Sequence, residues 1–465
     1  MMLSFTDHHK IHGRREFLRV GGLALGGLTL PEILSAKAHA AGSGTLLKNK
    51  SVIFLFMHGG PSQIETFDPK MDAPANIRSA TGEVTTKIPG VTFGGTFQKL
   101  SQLADRMSIV RSYRTGDSRH DIKPIVHKDT LDANLGSLYS RVVGANHPKN
   151  GMPTNAVLFP RAIDEKMMPA ITKFGKFDSH GSMGSAYTPF VPGAGGDLQS
   201  NMSLSIPQNR LDDRKLLLSN LDRARWAADK SESFTASSHL QQQAFDVIMG
   251  GVSKAFDLSK EDPKVVARYD TAPLVKPDQI DKRWKNYERY VVNAQSLGKL
   301  LLMARRLCEA GCGFVTITTN FVWDMHGDKN NAGVAEGMDY MGVPFDHAVS
   351  AFMEDVHDRG LSDDILLVCS GEMGRTPKLN KNGGRDHWGN LSPLMLSGGG
   401  LNMGQVIGQS TRHASEPQTE PIERKDLVTS IMHTLFDLGE LRITRGVPSE
   451  IIQVASAGKV IPGLF

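Results

Sequence analysis

Ser51-Val-Ile-Phe-Leu-Phe-Met57 is an unbroken apolar run that stops at His58-Gly59-Gly60-Pro61. A run of this length, bounded by Gly and Pro, reads as a strand buried on both faces whose C-terminal end opens into a loop. Phe314-Val-Thr-Ile-Thr318 and Ile365-Leu-Leu-Val-Cys369 repeat the pattern, with shorter candidates at 107–110 and 391–396. Between them the apolar period changes to that of a helix. Residues 296–310 carry Leu297, Leu300, Leu301, Ala304 and Leu307 before Gly311. Residues 345–359 carry Phe345, Val349, Phe352, Met353 and Val356 before Gly360, and 426–438 close the pattern. Strands alternating with helices predict an α/β fold with a mainly parallel sheet and helices on both faces. Residues 151–290 are less regular. They hold an apolar stretch at 155–159, a Gly/Ser/Pro-rich passage at 175–196 and polar helices at 212–256, and are read as an insertion in one large domain spanning 41–465.

The chain has 465 residues, 40% hydrophobic and 22% charged, which excludes collagen-like, disordered and multi-span membrane classes. Its net charge is +4, of which five basic and three acidic side chains in residues 1–40 supply +2. So weak a charge argues against nucleic acid as the main partner. Three cysteines, Cys308, Cys312 and Cys369, cannot build a disulfide framework and are expected to stay unpaired.

The N-terminus reads Arg14-Arg15-Glu-Phe-Leu-Arg19, then a Gly-rich apolar stretch, then Ala38-His39-Ala40. This resembles a bacterial twin-arginine (Tat) export signal over residues 1–40, with cleavage leaving a chain that starts near Ala41. The expected location is periplasmic or extracellular. The stretch is too short and too rich in glycine for a stable membrane span, and no other segment reaches the required length.

Ionisable side chains follow the apolar strands. They are His58, Asp324 with His326, Glu372 with Arg375, and Arg385-Asp386-His387, while the loop 115–120 adds Thr115, Ser118 and His120. Ligands in an open α/β sheet bind at the carboxyl ends of the strands. Imidazoles and carboxylates are donors for a divalent cation, so His58, Asp324, His326, Glu372, Asp386 and His387 are candidate metal ligands. The mixed N/O set suits Zn, Mn or Fe. Arg375 and Arg385 are candidate clamps for an anionic oxygen group. Without a metal, the same carboxylates and guanidinium groups could neutralise each other.

Four motifs carry a family resemblance. They are His58-Gly-Gly-Pro-Ser-Gln63 with Phe67-Asp-Pro-Lys70, Trp323-Asp-Met-His-Gly-Asp328, Gly371-Glu-Met-Gly-Arg-Thr-Pro377 and Gly384-Arg-Asp-His-Trp388. Together they resemble the secreted bacterial family called domain of unknown function 1501. Residues 345–374 are also similar, more distantly, to the helix, turn and strand before a metal motif of the alkaline phosphatase and sulfatase superfamily.

The second resemblance implies an alkaline phosphatase-like three-layer sandwich and a metal-dependent hydrolase of phosphate, sulfate or related esters. Glu372 and His387 then stand where those enzymes hold metal, Asp324 and His326 in the region of their Asp/His pair, and His58 in place of a strand-end Asp. Met373 replaces a metal-binding His and is a poor ligand. The nucleophile position falls in 115–120, where Thr115, Ser118 and His120 all remain open, with Ser118 and His120 nearest the attacking group. The sulfatase signature is absent, since His120-Asp-Ile-Lys-Pro124 occupies its place. The alternative reading is a catalytically degenerate relative that binds an anionic small molecule or a sulfated polysaccharide.

Overall fold

The structure is a computed structural model that describes residues 5–7, 10–12, 45–169, 171–193, 252–318 and 320–465. The expected export signal from Arg14 to Ala40 lies outside the described residues, as do the polar helices expected over 212–256 except for their last turn, Ser253–Phe256.

The elements that position the site are β1 (Ser51–Phe56), β2 (Ser108–Val110), α1 (Leu135–Val143), β3 (Asn155–Leu158), α2 (Tyr287–Glu309), β4 (Phe314–Thr318), α3 (Val334–Asp358), β5 (Ile365–Ser370), β6 (Leu394–Gly398), β7 (Gln405–Ile407) and α4 (Arg424–Leu435). They build a seven-stranded sheet in the order β7-β2-β6-β5-β1-β4-β3. β5, β1, β4 and β3 pair in parallel, and so do β7 and β2, while β6 is antiparallel to both of its neighbours. The sheet is therefore mixed but mainly parallel. β3, which falls inside the stretch 151–290, is one of its two edge strands.

Alternation along β1 separates two cores, because successive strand side chains point to opposite faces. Ile53, Leu55 and Met57 pack with Leu297, Leu300 and Leu301 of α2 and Phe345, Val349 and Phe352 of α3. Val52, Phe54 and Phe56 pack with Leu135 and Leu138 of α1 and Leu427, Val428 and Ile431 of α4. That is the expected three-layer α/β arrangement. The three cysteines are buried and free.

Element ends differ from the sequence expectation for identifiable reasons. α2 starts nine residues earlier, because Tyr290 and Ala294 extend its buried face and the Asn286 side chain anchors its first turn to Asn331 at 2.7 Å. α3 runs through Pro344 instead of starting after it. The buried Met338 and Met341 continue the stripe of Phe345 and outweigh the one hydrogen bond that proline removes. The segment 426–438 divides, since Asp437 caps a separate short helix, Leu438–Ile443, through Glu440 N–H.

Phe54 is fully buried between the sheet and the α1/α4 layer. Phe54→Ala is expected to cost about 3–5 kcal/mol, read as a lower urea midpoint. A loss below about 1 kcal/mol would show that this layer is not closed over the sheet.

Candidate metal centre

Four connections meet at the carboxyl edge of the parallel strands, the last running from β5 to β6. The loop after β1 supplies His58 and Gly59, and the loop after β2 supplies His120. Asp324 and His326 follow β4, Glu372 and Arg375 follow β5, and Arg385 to His387 precede β6. Two short contacts hold the layers of loop together. Trp323 N–H donates to the His58 carbonyl at 3.1 Å. Gly374 and Arg375 pair antiparallel with Trp388 and His387, setting Arg375 beside His387. Gly59 has φ +118°, and a Cβ there would lie 2.6 Å from the Asp324 nitrogen. Only glycine permits that approach.

His120, Asp324, His326 and His387 converge. Each offers one ligand atom, and these atoms all lie within 4.8 Å of one another. The three Nε2 atoms stand around Asp324 Oδ1, at 3.4 Å for His120, 3.0 Å for His326 and 3.3 Å for His387. His326 Nε2 and His387 Nε2 are 2.8 Å apart. Metal–ligand bonds of about 2.0–2.1 Å give a tetrahedron with edges of about 3.3 Å, so these spacings fit a small divalent ion. The remaining nitrogens fit as well. His120 Nδ1 lies 2.9 Å from Glu372 Oε1, and His326 Nδ1 lies 3.2 Å from Asp386 Oδ1. A carboxylate on Nδ1 fixes the tautomer that leaves the Nε2 lone pair for a metal. The cluster is able to hold a metal ion.

The electrostatics centre on Asp324. Burial alone would raise its carboxyl, but Arg375 and hydrogen bonds from the three imidazoles outweigh this and hold it far below the carboxylate range. Burial opposes the charged form of His120 too, yet Asp324 and Glu372 raise it on balance. His387 shifts down through burial, despite Asp324, with Arg375 and His120 adding to the fall. His326 and His387 keep 22% and 29% of their side-chain surface, so the cluster opens to solvent on that side.

Several sequence expectations are rearranged. His120, expected beside the reacting group, stands among the candidate ligands. Glu372 lies one step behind, fully buried, with both oxygens accepting from Gly59 N–H at 3.0 and 3.1 Å. Asp386 likewise backs His326, and Asn380 donates to it at 3.1 Å. His58 is not in the cluster. Its ring is boxed by Phe56, Phe174, Phe177 and Phe321, and burial pushes it down to about 4.

Neither expected anion clamp is free. Arg375 donates to Asp324 Oδ1 at 2.6 Å, to the carbonyls of Gly59, Gly60 and Arg385, and toward His326 Nε2 at 3.3 Å. Arg385 points away, pairing with buried Glu65 at 2.8 Å and with the carbonyls of Ile77, Arg78 and Pro377. Ser118 is exposed, and no hydrogen bond joins it to the cluster among the described residues. Thr115 is buried, and its hydroxyl has no partner among the described residues.

Lys123 was not foreseen. Its ammonium is fully buried and donates to Asp117 at 2.9 Å, Asp121 at 3.0 Å and the Arg119 carbonyl at 3.0 Å, locking the loop around His120. The alternation Asp117, Arg119, Asp121 around His120 is the signal that was available.

The family described as "Protein of unknown function (DUF1501)" matches residues 49–465. This chain belongs to that family. No functionally curated protein matches the sequence. Among solved structures, the sulfatase PsFucS1 from Pseudoalteromonas sp. is similar at 11% identity and TM-score 0.34, covering 93% of this chain and 72% of that one. The lipoteichoic acid synthase LtaP from Listeria monocytogenes aligns at 9% identity and TM-score 0.32, over 80% and 73% of the two chains. The phosphonate monoester hydrolase SpPMH from Silicibacter pomeroyi aligns at 11% identity and TM-score 0.31, over 83% and 73%. No helix among the described residues is long and apolar enough to cross a membrane.

If Glu372 orients His120 toward a metal, Glu372→Gln is expected to weaken metal binding about 10-fold or more. Competition with a chromogenic chelator measures this, and an unchanged affinity would remove Glu372 from the centre.

Proposed function

We propose that this protein is an exported, metal-dependent hydrolase of phosphate, sulfate or related anionic esters. The observation that carries the reading is the convergence of three Nε2 atoms on Asp324 Oδ1, two of the imidazoles being backed by their own carboxylates. Random surface histidines do not arrive oriented in this way, and second-layer carboxylates are the mark of a built metal site. The donor set of three nitrogens and one oxygen favours Zn, Mn or Fe over Ca, which takes oxygen alone.

A bound ion would supply Lewis-acid polarisation of the ester and a lowered pKa for a water or hydroxyl. The chain's own groups prepare for that. Glu372 and Asp386 hold the Nδ1 hydrogens of His120 and His326. Arg375 offsets the Asp324 charge, so one carboxylate can remain ionised at low exposure. Asn331 Nδ2 donates to Asp324 Oδ2 at 3.3 Å and holds that carboxylate from its other oxygen. The solvent side of His326 and His387 is the face a substrate would approach.

A second reading rests on a different observation. Arg375 has acceptors on all its nitrogens, Ser118 is exposed with no hydrogen bond to the cluster among the described residues, and four protein donors can close a tetrahedron with no open position. That pattern favours a catalytically degenerate member that binds an anionic small molecule or a sulfated polysaccharide.

His387→Ala separates the readings from a bare ion-pair network. It is expected to lower metal content tenfold or more, about 1.4 kcal/mol. On the hydrolase reading it also abolishes cleavage of aryl phosphate or sulfate esters. Stoichiometric metal with no cleavage leaves the binding reading. Protein without metal, whose melting temperature ignores chelators, sinks the hydrolase.

Export by the Tat route belongs to the same proposal and rests on Arg14-Arg15 and the stretch that follows. Replacing both arginines with lysine is expected to leave an uncleaved cytoplasmic precursor. Normal processing of that variant would exclude the route.

A further inference from the structure

His347, Ser350, Ala351 and Glu354 recur along α3 at i, i+3, i+4 and i+7, so they share one face of the helix. They line a cavity of about 480 Å³. One further wall is Lys99 and Leu103, at the start of the 3-10 helix Leu100–Arg106 and within it. Another is Ala267 and Arg268, in the short helix Pro263–Tyr269. Small-molecule sites have volumes of about 300–1,000 Å³, and this cavity falls among them. It is remote from the metal centre along α3. At 1.5 Å per residue, His347 lies about 20 Å from Val334, the end that follows the Asp324 loop. None of the lining residues belongs to the metal cluster.

Both walls are fixed to α3 by contacts of their own. Asp346 accepts from the backbone N–H groups of Lys99 at 2.9 Å and Leu100 at 2.7 Å. On the other side, Arg268 donates to Glu354 at 3.0 Å and to Asp358 at 2.9 Å. Tyr269 Oη donates to buried Asp355 at 2.9 Å. His347 joins the two walls. Its Nε2 lies 2.9 Å from the Arg268 carbonyl, which can only accept, so Nε2 carries the hydrogen and Nδ1 the lone pair. The Lys99 ammonium donates to that Nδ1 at 2.6 Å. Burial, with Lys99 adding to it, lowers the His347 imidazole and favours its neutral form.

The charges in the lining do not cancel. Arg268 is offset by Glu354 and Asp358, whereas the Lys99 ammonium has only the neutral imidazole as a side-chain partner among the described residues. Two of its three N–H groups remain to be used. Ser350 is a second, independent observation. It is 2% exposed, and its hydroxyl has no partner among the described residues. Buried hydroxyls in native proteins are nearly always satisfied. Leu103, Ala267 and Ala351 give the same cavity an apolar side. We propose that this cavity binds a small amphipathic carboxylate, its charge on Lys99, its apolar body against Leu103, Ala267 and Ala351, and an oxygen toward the Ser350 hydroxyl. An ammonium and a carboxylate form a charge-assisted pair, and the apolar side selects for a ligand with a carbon body. The site is independent of the metal centre and of the ester chemistry proposed there.

The test titrates sodium benzoate and sodium hexanoate calorimetrically into the full chain, with sodium acetate as the carboxylate that lacks a body. The wild type is expected to bind benzoate or hexanoate at one per chain, and acetate about tenfold or more weaker. Lys99→Met, at an exposed position, should weaken the bound probe about tenfold or more. Gln102→Trp adds bulk at another exposed lining position and should weaken it in the same direction, which serves if Lys99→Met fails to fold. His387→Ala, which strips the metal centre, should leave the affinity within about twofold. A bound probe should also raise the melting temperature with its concentration. Three results overturn the proposal: neither probe bound by the wild type, affinity unchanged in both Lys99→Met and Gln102→Trp, or a loss in His387→Ala as large as in Lys99→Met. Failure of the hydrolase reading is distinct. It appears as absent metal or absent ester cleavage and leaves the carboxylate affinities as stated.

Discussion

A single carboxylate oxygen organises this end of the molecule. Asp324 Oδ1 meets Arg375 at 2.6 Å and three imidazole nitrogens at 3.0–3.4 Å, and these groups come from three separate connections. A buried charge is tolerable only when it is paired and hydrogen-bonded. Each loop is therefore constrained by the same requirement. Gly59 must lack a side chain so that the loop after β1 can lie on Asp324, and Gly384 must do so because a Cβ would fall 2.0 Å from the His326 carbonyl. Removing any one charged partner would strand the others.

The same residues are chemically suited to two electrical states, with and without an ion. Without a metal, Arg375 and the imidazoles neutralise Asp324 and leave a self-satisfied network. With a metal, the imidazoles would give up hydrogens on Nε2, as ligands must be deprotonated. Glu372 and Asp386 are useful in both, since each accepts from the nitrogen that faces away from the centre. This explains why paired ions and metal ligands are hard to separate by inspection of residue types.

Much of the fold was legible because it follows local periodicity. The run at 51–57 and its two parallels needed only burial on both faces, and the helices at 296–310 and 345–359 were located by their stripes. Their starts were missed where the determinant was tertiary, as with Pro344 inside α3, which the buried Met338 and Met341 override. The centre was legible in its membership and less so in its layers. Asp324, His326 and His387 are where strand-end logic puts them. His120 joins the cluster and Glu372 lies behind it, because which of two neighbours faces Asp324 depends on a contact across 252 residues of chain. Arg375 and Arg385 differ by burial partners, Asp324 for one and Glu65 for the other, and no local pattern encodes that choice.

The wide spacing of these residues along the chain has a kinetic consequence. His120 follows β2, Asp324 follows β4 and His387 precedes β6, so they are brought together only when β2, β6, β5, β1 and β4 have paired, and such long-range closures are slow. An ion arriving early would find isolated imidazoles of little affinity and no competing half-built site. A centre drawn from segments so far apart in the sequence would hold an ion tightly only once the strands from β2 to β4 across the sheet have paired.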